Sequence, residues 1–204
     1  MIKAFFLILL LVSYEALSAN IELTDVENGE PQAQYIYASS LLKSDSSKAK
    51  HWFTIAALQN HLKSADWIKY NTQYYEDPLL FVLISTYENQ KQKLINLNLS
   101  KETRKEKLKQ LRDLGNRGDI DTQYLMWCLY VNDLGISKAE AYTWLKQAAG
   151  NGHPRALFSL GLLYHYGYIV PKEPKRTIRL MKQAYLAGFD LAQAFLMHIQ
   201  VSFD

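Results

Sequence analysis

Five histidines, one cysteine and two tight pairs of acids are the residues of this 204-residue chain that could carry out chemistry. His51, His61, His153, His165 and His198 are scattered, with no spacing such as His-Glu-x-x-His that would put two imidazoles on one metal. His165, between Tyr164 and Tyr166, reads as a structural histidine at a helix end. Cys128 lies in the apolar run "LMWCLY" and reads as a buried, inert thiol. Glu76–Asp77 and Asp119/Asp121 could share a proton in acid–base work, but both flank predicted helix boundaries, where carboxylates serve as caps and turn formers. No Gly-x-Ser-x-Gly elbow, phosphate-cradling glycine loop or dinucleotide fingerprint is present. The expectation is therefore no catalytic residue, no metal ligand and no cofactor.

Aromatic residues are more suggestive. In "DWIKYNTQYY", Trp67, Tyr70 and Tyr74 follow i, i+3, i+7 on a helix, with Tyr75 nearby. Such a stripe is either core or an interface, because tryptophan and tyrosine combine large area with a polar tip. Tyr37 in "QYIYASS" and Tyr166 in "LYHYG" are candidates for the same surface.

Charge is uneven as well. Residues 20–99 hold seven basic and nine acidic side chains, a net of −2; residues 100–204 hold fifteen and ten, a net of +5. The excess sits in "KETRKEKLKQLR" and "PKEPKRTIRLMK". A solvated outer helix face explains both, since Leu108, Leu111 and Leu114 keep an apolar stripe; a basic patch for an acidic partner or an anionic membrane surface is the alternative.

The elements that must position these residues emerge when glycines are set in register. Segments begin at Gly118, Gly152 and Gly188, 34 and 36 residues apart, and an earlier copy runs from Gly29 to an equivalent position at His61, 32 residues on. Such periods signal stacked helical hairpins, none of which can bury its apolar face alone. In the clearest unit, Ala156, Leu160 and Leu163 form one stripe beside Leu157, Gly161 and Tyr164. "VPKEP" then interrupts the pattern, and a second helix follows with Ile178, Met181, Ala184 and Tyr185. Gly161 is expected to let the paired helices approach, and Gly152 and Gly188 to end helices in the left-handed region.

These residues resemble the SEL-one-like repeat family, relatives of the tetratricopeptide repeats. The likeness rests on "ALFSLGLLYHYG" from Ala156, "WLKQAAGNG" from Trp144 and "KAKHWFTIAA" from Lys48, with Trp52 matching Trp144. It is strong over 118–188, fair over 29–65 and weak between. It implies an all-α, right-handed superhelical solenoid of antiparallel hairpins, with units near 29–60, 61–117, 118–151 and 152–187 and a terminal helix over 188–204. Departures from the pattern are Trp127 in the place of Gly161, Ile169 for a loop glycine and Thr177 for an alanine. The 57 residues from His61 to Gly118 exceed one ordinary unit. "SADWIKYNTQYYED" reads there as a first helix and "SKETRKEKLKQLRDLG" as its partner, with Ser100 as N-cap. An inserted helix is expected from near Pro78, over residues 78–99.

Residues 1–19 read as a secretory signal: Lys3, then the apolar stretch Ala4–Val12, then small residues near Ala16, Ser18 and Ala19. Cleavage after Ser18 and after Ala19 both remain open, and nine apolar residues are too short for a stable membrane span. The family implies a non-enzymatic protein-binding role, in bacteria often in the cell envelope. The expected partner is another protein, not nucleic acid, docking on Tyr37, Trp67, Tyr70, Tyr74 and Tyr166 of the concave face, with the chain in the periplasm. A periplasmic immunity protein that neutralises a secreted effector such as a lipase is the alternative. A hydrolase, or an accessory to one, acting on envelope glycan or lipid stands behind both.

Overall fold

The computed structural model describes residues 23–27, 29–73, 76–77, 79–80, 83–84 and 101–199. Among them the elements are all helical: α1 (Leu23–Glu27), α2 (Pro31–Leu41), α3 (Ser46–Leu58), α4 (Leu62–Asn71), α5 (Lys101–Asn116), α6 (Ile120–Val131), α7 (Lys138–Gly150), α8 (Pro154–Tyr166), α9 (Pro174–Leu186) and α10 (Asp190–His198). Helices α2 and α3, α6 and α7, and α8 and α9 pair as hairpins. The chain is a helical solenoid of hairpins. The expected signal segment, Ser100 and most of the expected 78–99 helix lie outside the described residues. Leu79, Leu80, Leu83 and Ile84, from that stretch, are buried in the common core.

Every unit opens with the same turn. A left-handed residue precedes the cap of the first helix: Gly29, Asn60, Gly118, Gly152 and Gly188, with φ of 89°, 70°, 93°, 82° and 89°. The cap residue's N–H then reaches back five residues, as in Glu30 to Asp25, His61 to Ala56 and His153 to Ala148, at 3.0–3.1 Å. This six-to-one bond closes the preceding helix while the same residue starts the next. One register therefore needs correcting: the equivalent of the unit glycine is Asn60, not His61. Asparagine replaces glycine there because it tolerates the left-handed region, and its Nδ2 donates to the Tyr124 hydroxyl at 2.9 Å.

The cap side chains finish the turn. Asp119 accepts from the Thr122 N–H at 2.7 Å. His61 and His153 accept through Nδ1, from Ser64 at 3.3 Å and Ala156 at 3.2 Å. Only an unprotonated Nδ1 can do this. Four residues past the cap, Gln34 and Gln123 clamp neighbouring units. Gln123 donates to the Gly115 carbonyl at 2.9 Å and accepts from Asn151 at 3.3 Å. Gln34 does the same with the Val26 carbonyl, 3.3 Å, and Gln59, 3.0 Å. Both are buried and engage carbonyls that a helix end leaves without an intrahelical partner. One position further, a ring packs on the next unit's cap: Tyr35 on His61, Tyr124 on His153, and Phe158 on Phe189, with centroids 5.0, 4.6 and 5.2 Å apart.

The stripe read from Ala156 to Tyr164 is buried throughout. At Gly161 an added Cβ would stand 2.9 Å from Met181 Cε and 3.4 Å from Leu180 Cβ, so the paired helices approach closely here and only the flexible end of Met181 would have to shift. Thr177 uses it: its hydroxyl donates to the Gly161 carbonyl at 3.4 Å and to the Glu173 carbonyl at 3.2 Å. Trp127, at the matching position, is fully buried, with its ring tilted against Tyr130. Ile169 keeps the left-handed conformation of the glycine it replaces, φ 65°. The α5 stripe differs from expectation. Leu108 and Leu111 are buried, but Leu114 is 45% exposed. The stripe turns instead to Gly115, which receives the indole of Trp144: a Cβ there would lie 2.9 Å from the ring.

Candidate protein-interaction surface

Acid–base chemistry finds little footing. Asp77 accepts from the N–H groups of Leu79 and Leu80, 2.9 and 3.2 Å, and Asp119 caps α6. Hydrogen bonds from Thr122 hold the Asp119 carboxyl below its usual range. Asp121 lies 3.3 Å from His153 Nε2, where burial nonetheless lowers the imidazole's pKa. Cys128 is buried. Among the described residues no cluster of three or more His, Cys, Asp or Glu is placed to hold a metal ion, and no helix is long and apolar enough to cross a membrane.

The aromatic candidates separate into three environments. Trp67, on α4, is half-buried and stacks on Phe53 of α3, centroids 4.2 Å apart and planes at 22°. It holds α4 against the first hairpin. Tyr70, one turn later, is 70% exposed, with the Lys69 ammonium over its ring at 5.2 Å. Tyr74 lies outside the described residues. Tyr166, at the end of α8, is half-buried against the core, and burial pushes its phenol well above its ordinary value. Gly29 covers it, since a Cβ there would stand 3.7 Å from Tyr166 Cβ.

Tyr37 belongs to a group that sequence reasoning missed. Its ring meets Trp52 edge-on at 6.0 Å, and His51 meets the same indole at 5.4 Å. Tyr37 and Trp52 are half-buried and His51 is exposed, so the first hairpin presents a patch of three aromatic rings. Trp52 matches Trp144 in the repeat, yet only Trp144 is buried.

A second missed group centres on Glu30. Its carboxylate accepts from the Tyr130 hydroxyl at 2.9 and 3.0 Å and from the Tyr168 hydroxyl, and pairs with Lys138 Nζ at 3.0 Å. Burial first, then the charge of Glu30, raises both phenol pKa values far above the ordinary, so the hydroxyls stay protonated donors. Beside it opens a cleft of about 320 Å³, lined by Asp25, Lys138 and the loop Gly167–Pro171. No signal short of the tertiary contacts links these residues.

Comparison with known proteins fits this architecture. Residues 31–61, 128–153 and 154–189 each match the Sel1 repeat. A Sel1 repeat protein from Oxalobacter formigenes, known from its crystal structure, is 19% identical with a TM-score of 0.45. The alignment covers 86% of this chain and 46% of that one, so the chain spans about half its length. No curated protein matches the chain.

Proposed function

We propose that this chain, which carries three Sel1 repeats, is a non-catalytic scaffold that captures one partner protein on aromatic surface of its N-terminal half. Sel1 repeat proteins are generally protein-interaction modules. The observation that carries the proposal is Tyr70, whose large apolar ring stands 70% exposed on an ordered helix, near the Tyr37–Trp52–His51 patch in sequence and on adjoining helices. A ring of this kind gains most of its binding energy only when a partner covers it. Tyr37 and Tyr70 are the anchors in this reading. Trp67 positions Tyr70 by holding α4 against the first hairpin, and Tyr166 packs inward against the core.

The leader-like residues 1–19 support export and a periplasmic partner. The long, divergent stretch between Asn71 and Lys101 supports a surface shaped for one partner, as an immunity protein facing a toxic effector would have. Pull-down from an envelope extract with mass spectrometry tests the scaffold reading, and an effector gene beside this one distinguishes immunity from general adaptor work. Turnover of peptidoglycan or lipid that is lost in Glu76→Gln would overturn the non-catalytic reading.

A further inference from the structure

In a repeat array each unit ordinarily touches only its neighbours, so the array opens and closes like a chain of independent links. This chain departs from that rule at Glu30. The residue belongs to the first unit, yet its partners Tyr130 and Tyr168 lie 100 and 138 positions later, at the end of α6 and in the α8–α9 loop. Three groups converge on one carboxylate: two phenol hydroxyls and the Lys138 ammonium, which also sits over the Tyr168 ring at 5.1 Å. Gly29 permits the approach, because a Cβ there would fall 2.7 Å from Tyr168 Cβ.

We propose that Glu30, gripped by Tyr130, Tyr168 and Lys138, is a latch that closes the solenoid on itself and sets the distance between its first hairpin and its last units. The latch is reachable from solvent. Lys138 is half exposed, and it and Tyr168 also line the neighbouring cleft; the Tyr168 ring is otherwise buried, so opening the contact also uncovers that ring. Open, the solenoid regains the freedom of a linear array and its inner wall widens. This inference does not depend on the identity of any partner.

The test compares the full-length protein with Glu30→Ala, Tyr168→Phe and the milder Lys138→Met, using small-angle scattering and amide hydrogen exchange. Arg112→Ala serves as control, since its pair with Glu140, 2.6 Å, joins α5 to α7 in the adjacent unit and skips none. Helical content should stay unchanged in every variant. The latch variants should enlarge the radius of gyration and speed exchange in 31–58 about tenfold or more, as expected for a lost charge-assisted bond, while 154–186 stays protected. An unchanged radius, or exchange that rises equally along the whole chain, would overturn the proposal. Should Tyr168→Phe fail to fold, Lys138→Met decides between the same two outcomes.

Discussion

Single side chains at the unit boundaries tie stability to pH. His61 is 2% exposed, and burial, with a smaller contribution from Lys63, holds its imidazole down to about 3. Its Nδ1 accepts from Ser64, and its Nε2, 2.9 Å from Gln32 Oε1, donates. The unfolded chain binds a proton near pH 6.5 where the folded chain does not. The stabilisation is therefore complete above about 6.5 and declines as pH falls, by ~1.4 kcal/mol per unit. His153, lowered by the same cause, adds to the slope. The urea midpoint should drop clearly between pH 7 and 5, and His61→Asn, which still caps, should flatten that dependence. A midpoint indifferent to pH would show that these imidazoles stay exposed. At Gln123, truncation to Ala removes the bonds to the Gly115 carbonyl, which keeps the Gly118 N–H, and to Asn151, and should cost about 1 kcal/mol in a denaturant titration. Nothing in the sequence marked His61 as a cap or Gln123 as a clamp beforehand, because a cap and a clamp are defined by what lies one unit away.

Helices and their pairings were far more legible. Period, glycine spacing and the two prolines of "VPKEP" placed both helices of the 152–187 unit, because each feature acts within a few residues of the boundary it sets. Leu114 was misread for the opposite reason: i+3 and i+4 both fit a helical stripe, and only the Trp144 indole on a neighbouring helix chooses Gly115. Two helical glycines follow from this. Alanine gains about 1 kcal/mol of helix propensity at mid-helix Gly161 and less at Gly115, the penultimate residue of α5. At Gly115 the new methyl meets a rigid indole, and overpacking of about 1–3 kcal/mol should win, so Gly115→Ala lowers the melting temperature. At Gly161 it meets the flexible end of Met181, so Gly161→Ala should stay within about 1 kcal/mol of neutral. Equal losses at both would show that the α5–α7 contact is looser than described. Leu160→Ala should cost about 2–5 kcal/mol, read as a lower thermal midpoint.

At the scale of the whole molecule, the sequence disclosed an array but not its closure. Glu30 gives no local sign of partners more than a hundred residues away, and the basic run of α5 gives none of Glu140, which receives Arg112 in two bonds of 2.6 and 3.1 Å. Of the aromatic candidates, Tyr70 stands exposed, whereas Trp67 and Tyr166 pack inward against the core, a distinction that i, i+3, i+7 spacing does not make. A molecule built this way offers a wall on which Tyr70 stands exposed, while Asp119, His61, His153 and Glu30 are engaged in capping and clamping. The most direct test is calorimetric titration of the captured partner into the native protein and into the Tyr37→Ala, Tyr70→Ala double variant. The account predicts a dissociation constant at least about tenfold weaker with helical content unchanged; an unaltered constant would contradict it.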